Sequence, residues 1–327
     1  MSATRTPVGL RLRPYAGEPD LAEIARIENA EAEADRLPER VTVDGLAAEY
    51  GHPSESFDPA RDVTIAEVDG EAVAYGLRNW VDTTDGLREY RVDGSVHPAW
   101  RRRGIGTAML AENERLQRAL AASHATPNAK LIGSWSGETQ RGDITLLQAA
   151  GFTSARWFFE MTRPRLDDIP ELPLPDGLEV RPITPALARR VWDADIEAFE
   201  DHWGGFDRSD ESFQRWLDHP ATDLSLWLAA FDGDEIAAAI INLIDREENE
   251  ALGLRRGWLA SVFTRRPWRR RGLARALIVR SLTLLRDRGM TIAALGVDAD
   301  NPSGALGLYE DLGFAVSHRA TAWRKAL

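Results

Sequence analysis

The sequence predicts a mixed α/β (α+β) fold that occurs twice in tandem. Strand-like and helix-like segments alternate along all 327 residues, a pattern typical of sheets flanked by helices. Four short segments recur in the same order in the two halves, and a proline-rich stretch lies between those halves. Together these observations indicate the duplication of one domain.

The recurring segments match in pairs with nearly constant spacing. The pairs are 9–15 with 177–183, 68–76 with 231–239, 100–110 with 268–278, and 146–152 with 308–314. The third pair reads WRRRGIGTAML and WRRRGLARALI, so three arginines precede a glycine at the same point of each copy. The linker is expected at 163–176, RPRLDDIPELPLPD, because proline at this density resists both helix formation and strand pairing. The predicted domains are 1–162 and 177–327.

Each copy is expected to contain the same elements in the same order. A strand of alternating polarity, LRLRPY or LEVRPI, leads into a helical region. A hairpin follows with its turn at Asp69-Gly70 or Asp232-Gly233, because Asp-Gly favours tight turns. A further strand, EYRVDGSV or GWLASVFT, enters the arginine–glycine loop, and a helix follows that loop. A short strand, another helix and a last strand complete each copy.

Composition excludes several classes of function. The formal net charge of −12 argues against a general nucleic-acid binder, which needs a basic surface. The absence of cysteine excludes disulfides and thiolate metal sites, and it fits a reducing cytoplasm. The six histidines lack metal-ligand spacing, so no metal is expected. The N-terminal stretch lacks a signal-peptide pattern. The apolar run 236–244 is too short to span a bilayer and is expected to be a buried strand. We therefore expect a cytoplasmic protein, monomeric or homodimeric, with no nucleic-acid or membrane partner.

The arginine–glycine loops carry the strongest functional signal. Each loop follows a strand and opens a helix, where unpaired backbone N–H groups and the positive end of the helix dipole attract anions. Gly104 and Gly106 in the first copy, and Gly272 and Ala274 in the second, leave room for a phosphate near the backbone. The flanking arginines can add charge-assisted hydrogen bonds. We interpret each loop as a pyrophosphate cradle, and a solvated basic turn is the alternative.

The order of strand, R-x-x-G-x-G/A and helix resembles the acetyl-CoA signature of the GNAT superfamily of N-acetyltransferases. The matching positions are Arg101, Gly104 and Gly106, and again Arg269, Gly272 and Ala274. The segment 297–314 is similar to another block of that family, an Asn followed by a helix that carries Tyr and ends in Gly-Phe. The tandem arrangement resembles the double acetyltransferases of the mycothiol synthase type.

The resemblance implies two tandem GNAT-like domains, each a mixed, mostly antiparallel sheet flanked by helices, with acetyl-CoA as the acetyl donor. It also implies that acetyl-CoA lies where two adjacent strands splay, with its pyrophosphate on the arginine–glycine loop. The implied cofactor-binding residues of the second copy are Val262, Phe263, Thr264, Arg269, Arg270, Arg271, Gly272, Leu273, Ala274, Arg275, Asn301 and Ser303. Those of the first copy are Val96, Arg101, Arg102, Arg103, Gly104, Ile105, Gly106 and Thr107.

The second copy is expected to be the catalytic one. In the family, the proton for the departing thiolate usually comes from a tyrosine of the last helix, which corresponds here to Tyr309. Aligning Gly151 with Gly313 places Leu147 at that position of the first copy, and leucine cannot donate a proton. The alternative for Tyr309 is an ordinary core aromatic residue.

The general base is expected in the segment 198–207, where this fold usually lines the acceptor pocket. The candidates in that segment are Glu200, Asp201 and His202, with a water relay as one route. Ordering of the loop by these side chains is the alternative. Many relatives place an acid on the strand before the loop; the first copy has Asp93 there, but the second has Ala260 and Ser261. The charge run DREENE at 245–250 is expected to be a solvated hairpin turn, or else to attract a cationic acceptor.

The sequence therefore predicts an acetyl-CoA-dependent N-acetyltransferase whose C-terminal domain moves an acetyl group to a primary amine by direct attack. The alternative is a non-catalytic acyl-CoA-binding or scaffold protein with two CoA cradles. The partner is expected to be a small-molecule amine. The open acceptor classes are a small amine, an aminoglycoside-like antibiotic, an amino-sugar conjugate such as the mycothiol precursor, and a protein N-terminus.

Overall fold

Residues 9–301 and 304–327 are described by the structure, a computed structural model, and they form two units. Unit 1 contains the described residues up to 157 together with Trp203–His219 and Ala320–Leu327. Unit 2 contains Phe158–His202 and the described part of 220–319. The units are thus not simple sequential halves, because the chain returns to unit 1 at Trp203 and again at Ala320.

Unit 1 contains one mixed sheet and the helices that flank it. Its elements are β1 (Leu10–Pro14), α1 (Glu18–Asp35), α2 (Val43–Tyr50), α3 (Pro59–Asp62), β2 (Val63–Val68), β3 (Glu71–Asp82), β4 (Leu87–Val96), α4 (Ile105–Ser123), β5 (Ala129–Gly137), α5 (Arg141–Ala149), the first residues of β6 (Thr153–Arg163), α7 (Asp210–Asp218) and the last residues of β12 (Ala315–Ala326). The strand order is β1-β2-β3-β4-β5-β12, and β4 pairs with β5 in parallel while the other described pairs are antiparallel.

Unit 2 repeats this plan. Its elements are the later residues of β6, β7 (Leu178–Arg181), α6 (Pro185–Ala198), β8 (Leu228–Asp232), β9 (Glu235–Leu243), α8 (Arg246–Leu252), β10 (Arg256–Thr264), α9 (Leu273–Asp287), β11 (Ile292–Asp298), α10 (Ala305–Asp311) and the first residues of β12. The strand order is β6-β11-β10-β9-β8-β7, with β10 and β11 parallel and the other described pairs antiparallel. The predicted fold class is confirmed.

Most predicted elements occur where the sequence places them. The first hairpin turns at Asp69-Gly70 as expected, whereas the second turns one residue later, at Gly233-Asp234. The apolar run that was expected to be a buried strand forms β9, whose residues Ile236–Ile241 are all buried. None of the described helices is both long and apolar enough to cross a membrane.

The prediction of a solvated turn at DREENE is wrong. These residues begin α8, because Asp245 caps the helix by accepting a hydrogen bond from the Glu248 N–H at 2.9 Å. Glu248 is buried and pairs with Arg256 at 3.0 Å, so one acid of the run is neutralised inside unit 2.

The core of unit 2 positions the second arginine–glycine loop. Helix α9 buries Leu273, Leu277, Leu282 and Leu285, and these side chains belong to one cluster with the apolar residues of β9, β10 and β11. Because Leu273 is the first residue of α9 and is buried, the loop that precedes it is held at a fixed point beside the sheet. The proline-rich segment contributes to the same cluster through buried Leu166 and several partly buried apolar side chains.

Candidate active site

The strands β10 and β11 separate in the middle of the unit 2 sheet. Their described parallel pairing runs from Arg256 with Ile292 to Trp258 with Ala294 and ends before either strand does. On its other edge, β10 stays paired with β9 as far as Thr264. The second half of β10 therefore offers backbone N–H and C=O groups on its β11 side to a bound molecule.

A β-bulge occurs where the strands separate. The register of β10 against β9 shifts between Leu259 and Ser261, so Ala260 is the extra residue. Bulges bend a strand and redirect the side chains that follow. Ser261 donates a hydrogen bond from its hydroxyl to the carboxylate of Asp195 on α6.

The loop after β10 opens the N-terminus of α9. Gly272 is the N-cap with φ +79°, and no side chain caps this helix end within the part of the chain that the structure describes. A Cβ added to Gly272 would meet nothing within 4 Å, so the space beside this residue at the start of α9 is open. Helix N-termini of this kind bind anions.

The arginines of this loop have different roles. Arg269 is turned inward: its guanidinium donates to the carbonyl oxygens of Thr264 at 2.9 Å and Ala198 at 3.0 Å. Arg270 and Arg271 are exposed, and neither forms an ion pair with another described residue. The loop therefore keeps two unneutralised guanidinium groups beside an open helix N-terminus.

The remaining residues expected to bind the cofactor lie along the same path. On β10, Val262 and Thr264 are partly buried and Phe263 is buried. The hydroxyl oxygen of Thr264 is itself buried and has no hydrogen-bond partner among the described residues. Arg275 on α9 pairs with Asp311. The backbone N–H of Asn301 donates to the carbonyl of Asp298 at 3.1 Å, and Ser303 lies outside the described residues.

The first copy has the same loop backbone in an acidic setting. Gly104 caps α4 with φ +82°, as Gly272 caps α9. However, the Arg101 guanidinium binds both Glu31 at 2.8 Å and Asp35 at 2.6 Å. Oxygen atoms of Glu31, Asp35 and Asp143 lie within 4.8 Å of one another. Such a concentration of negative charge disfavours a pyrophosphate.

The other first-copy positions mostly resemble their second-copy counterparts. Ile105 is buried in the core, Arg103 stacks on Trp100 with its guanidinium carbon 4.4 Å from the ring centre, and Arg102 is exposed with φ +63°. Gly106 and Thr107 continue the first turn of α4 and are partly buried, as is Val96 at the end of β4. Burial raises the pKa of Glu31 to about 7 and that of Asp143 to about 6.

Tyr309 lies on α10 inside the core of unit 2. Its ring packs edge to face on Phe314 with the ring centres 6.1 Å apart, and its hydroxyl makes no hydrogen bond to a described residue. Burial raises the pKa of Tyr309 to about 12, so the hydroxyl is protonated at neutral pH. The aligned first-copy residue, Leu147, is buried and has no proton to give.

The three base candidates named from the sequence differ in their surroundings. Asp201 binds the guanidinium groups of Arg266 and Arg269, and these hydrogen bonds lower the pKa of Asp201 to about 2. A carboxylate held in this way is a weak proton acceptor. His202 packs on Phe199, and burial lowers the pKa of His202. Glu200 is exposed.

Sequence reasoning missed Asp195. Burial raises the pKa of this carboxyl to about 6, and the hydrogen bond from Ser261 opposes that shift. In the first copy the acid is on the strand instead: Asp93 accepts hydrogen bonds from the Trp135 N–H at 3.3 Å and the Ser134 hydroxyl at 3.4 Å, and burial raises its pKa to about 6. Asp195 lies next to the buried Ala194 on α6, and no sequence motif marks it.

Unit 1 contains a cavity of about 470 Å³. Part of its wall comes from residues 205–209, which continue the segment expected to line an acceptor pocket. Trp80 and Phe206 give it aromatic surface, and Glu55, Asp82 and Asp207 give it carboxylates. Asp82 and Asp207 are already paired, with Arg88 and Arg215, and Arg208 also lines the cavity, so its volume and groups suit a small polar ligand.

The splayed parallel strands, the bulge and the arginine–glycine loop at a helix N-terminus agree with the GNAT class of acetyltransferases. A sequence model described as "Acetyltransferase (GNAT) family" matches residues 188–314. The chain belongs to the GNAT acetyltransferase family and is an N-acetyltransferase.

Its relatives include proteins named mycothiol acetyltransferase. The chain is 30% identical to that of Salinispora arenicola over 317 residues, which cover 91% of this chain and 95% of the relative. It is 31% identical to that of Thermomonospora curvata over 290 residues, covering 83% and 76% of the two chains.

Two solved structures agree with the fold. A GCN5-related N-acetyltransferase from Sphaerobacter thermophilus superposes with a TM-score of 0.71 at 26% identity, covering 98% of this chain and 96% of that one. A tandem GNAT protein from the clavulanic acid biosynthesis pathway superposes with a TM-score of 0.68 at 17% identity, covering 97% and 98%. The tandem GNAT architecture expected from the repeats is confirmed.

Proposed function

We propose that the second copy transfers the acetyl group of acetyl-CoA to a primary amine by direct attack. The observation that carries this proposal is the loop before α9, where an uncapped helix N-terminus, an open Gly272 and the exposed Arg270 and Arg271 occur together. These groups fit a pyrophosphate, since backbone N–H donors and guanidinium groups are both strong phosphate ligands.

The residues that would hold acetyl-CoA follow from this arrangement. Backbone groups at 262–264 would pair with the pantetheine arm along the free edge of β10, and residues 269–275 would surround the pyrophosphate. Asn301 would contact the pantetheine, and the family resemblance implies the same for Ser303. When bound, acetyl-CoA supplies a thioester carbon that a neutral amine can attack.

Tyr309 would donate a proton to the departing sulfur. Its hydroxyl is protonated at neutral pH and is not held by another described side chain, which leaves it able to donate to a ligand. In the first copy, Leu147 and the three carboxylates around Arg101 support a domain that does not catalyse transfer and that binds acetyl-CoA weakly if at all.

The name of the relatives favours one of the acceptor classes left open by the sequence, an amino-sugar conjugate such as the mycothiol precursor.

Calorimetric titration with acetyl-CoA tests the cradle. We expect one equivalent to bind to the wild type, no binding to Gly272→Glu, and wild-type binding to the matched variant Gly104→Glu. Transfer is then measured with radiolabelled acetyl-CoA and a panel of primary amines: glucosamine, kanamycin, spermidine and a peptide with a free N-terminus. Absence of binding would remove the basis of the proposal, and binding without transfer to any amine would favour the scaffold alternative.

A further inference from the structure

We propose that Asp195, held in place by the Ser261 hydroxyl, is the group that accepts the proton of the attacking amine. This assignment rests on the proposed function, because it needs an amine acceptor. It replaces the base candidates at 200–202 with a carboxylate that sequence comparison between the two copies does not reveal.

The first argument is position. Ser261 follows the bulge residue of β10, at the point where β10 has left β11 and where the thioester would lie along the strand edge. Asp195 reaches this point from α6, which packs on both β9 and β10. The hydrogen bond between the two side chains therefore fixes a carboxylate at the splay.

The second argument is availability. One carboxylate oxygen of Asp195 accepts the Ser261 hydrogen bond, and the other accepts none from the described side chains. Asp195 forms no ion pair with a described residue, whereas Asp201 is bound to two arginines. Asp195 keeps part of its surface exposed, and its second oxygen is the one that would meet an amine or a relay water.

The charged groups on neighbouring elements leave this carboxylate unneutralised. On β9 the titratable residue is Glu235, which pairs with Arg265 at 3.0 Å. On β10 it is Arg256, which pairs with Glu248 at the other end of the strand. Burial therefore dominates the environment of Asp195 and raises its pKa to about 6, near the pH at which a base exchanges protons efficiently.

The charged residues of α6 itself are also engaged elsewhere. Glu197 pairs with Arg265 at 2.8 Å, and Asp193 pairs with Arg189 at 2.8 Å. Arg190 donates to the carbonyl of Asp234.

The proposed transfer balances as follows. The ammonium of the acceptor gives one proton to Asp195, and the neutral nitrogen forms the C–N bond as the C–S bond breaks. The second proton on that nitrogen goes to solvent, and the sulfur takes a proton from Tyr309, which is reprotonated from solvent. An ammonium ion and a thioester thus become an amide, a thiol and one released proton, which Asp195 returns to water.

The test compares Asp195→Asn with the matched control Asp193→Asn, which removes an exposed charge two residues away on the same helix. At pH 7.5 we expect Asp195→Asn to lower kcat/KM by about 100-fold or more while the acetyl-CoA Kd stays at the wild-type value. We expect Asp193→Asn to behave as wild type and Asp195→Glu to recover part of the lost rate. In the wild type, kcat/KM should fall as the pH drops through about 6, and this limb should vanish in Asp195→Asn.

A second readout does not depend on turnover. A carbon-13 NMR titration of the free protein should show Asp93, Asp143 and Asp195 with midpoints near pH 6, and only the Asp195 signal should be missing in Asp195→Asn. Ser261→Ala should move the Asp195 midpoint, and the acid limb of the rate profile, to higher pH, because it removes the hydrogen bond that stabilises the carboxylate. A merely structural Ser261 would leave both unchanged.

The outcomes separate this assignment from the proposed function. A wild type that acetylates none of the four probe amines overturns the proposed function and this assignment with it. If the wild type transfers acetyl and Asp195→Asn keeps its rate and pH profile, only the proton-acceptor assignment is overturned. The assignment is also overturned if Asp195→Asn no longer binds acetyl-CoA. It is overturned as well if neither Asp195 variant folds and the pH profile of Ser261→Ala matches that of the wild type.

Discussion

Arg269 Nε donates a hydrogen bond to the carbonyl oxygen of Thr264 over 2.9 Å, which ties the first arginine of the second triplet back to the strand before it. The equivalent bond in the first copy joins Arg101 Nε to the carbonyl of Val96 over 3.4 Å. In both copies the signature arginine therefore shapes the loop. Under the proposed function, contact with phosphate would fall to the arginines that follow, which in the second copy are the exposed Arg270 and Arg271.

This division of roles predicts different phenotypes within one triplet. Arg271→Ala should raise the acetyl-CoA Kd about 5- to 10-fold, weaken its salt dependence and leave the melting temperature unchanged, because an exposed guanidinium stabilises only the bound anion. Arg269→Ala should lower the unfolding free energy by about 1–3 kcal/mol as well, because its backbone hydrogen bonds are lost.

Calorimetry at two salt concentrations measures the acetyl-CoA Kd and its salt dependence, and thermal denaturation measures the change in stability. The control is Arg286→Ala, which removes another exposed arginine from α9, one that pairs only with its neighbour Asp287. An Arg269→Ala protein as stable as the wild type would contradict the structural role.

Tyr309→Phe tests the proton donor. We expect kcat to fall about 10- to 100-fold, because the departing sulfur loses its positioned acid. The acetyl-CoA Kd and the melting temperature should stay near wild type, since the hydroxyl makes no hydrogen bond to a described residue. Tyr90→Phe is the control, because Tyr90 in unit 1 donates or accepts a hydrogen bond with His124 and has no place in the proposed chemistry. An unchanged kcat would remove Tyr309 from the mechanism.

The repeats made the fold and both loops predictable, because matched strand, turn and glycine signals are local properties of the chain. The membership of 203–219 in unit 1 is not local. The Arg215 guanidinium donates to the His52 carbonyl, 163 positions earlier, and no sequence pattern predicts this contact. The helix α8 was missed because a charge run was interpreted as solvated, although Asp245 is a strong N-cap.

The candidate site was predictable only in part, for a similar reason. The strand position that holds an acid in many relatives carries Ala260 and Ser261, so the sequence directed the base prediction to 198–207. The carboxylate now proposed is on α6, 66 residues before Ser261 in sequence. Asp195 was hidden because a single acid beside an apolar helix face has no sequence pattern of its own. Asp201 was a candidate base from the sequence for the converse reason. Its two arginine partners, which make it a weak proton acceptor, are brought to it only by the fold.

Glu31 predicts a pH-dependent stability in unit 1. Burial raises the pKa of Glu31 in the folded protein to about 7, from 4.5 in the unfolded chain. The folded state therefore holds this proton more tightly, so the contribution to stability is complete below about pH 4.5 and is lost as the pH rises toward 7. Glu31→Gln should gain about 1–3 kcal/mol of unfolding free energy relative to wild type between pH 5 and pH 8.

Urea denaturation at both pH values measures this gain. The control is Glu33→Gln, an exposed acid on the same helix, which should show the same difference from wild type at both pH values. If Glu31→Gln also differs from wild type equally at pH 5 and pH 8, the buried carboxyl is not responsible.

The Gly-Phe pair that precedes the last strand of each repeat gives a matched comparison of two glycines. Gly151 and Gly313 both have a left-handed backbone, with φ +89° and +84°, so alanine should cost about 1 kcal/mol at either position. Their surroundings differ, however. A Cβ on Gly151 would meet its nearest atom, on Lys325, at 3.9 Å, whereas one on Gly313 would lie 2.7 Å from Nη1 of Arg163.

Arg163 cannot simply move away. Its side chain is buried, and its guanidinium donates to the Leu312 carbonyl and to Asp168. Gly313→Ala should therefore cost about 2–4 kcal/mol, because it adds the loss of these bonds to the backbone strain. Thermal and urea denaturation of the two variants side by side should show the larger loss for Gly313→Ala. Equal losses would mean that Arg163 yields at little cost and that the glycine is required by its backbone conformation alone.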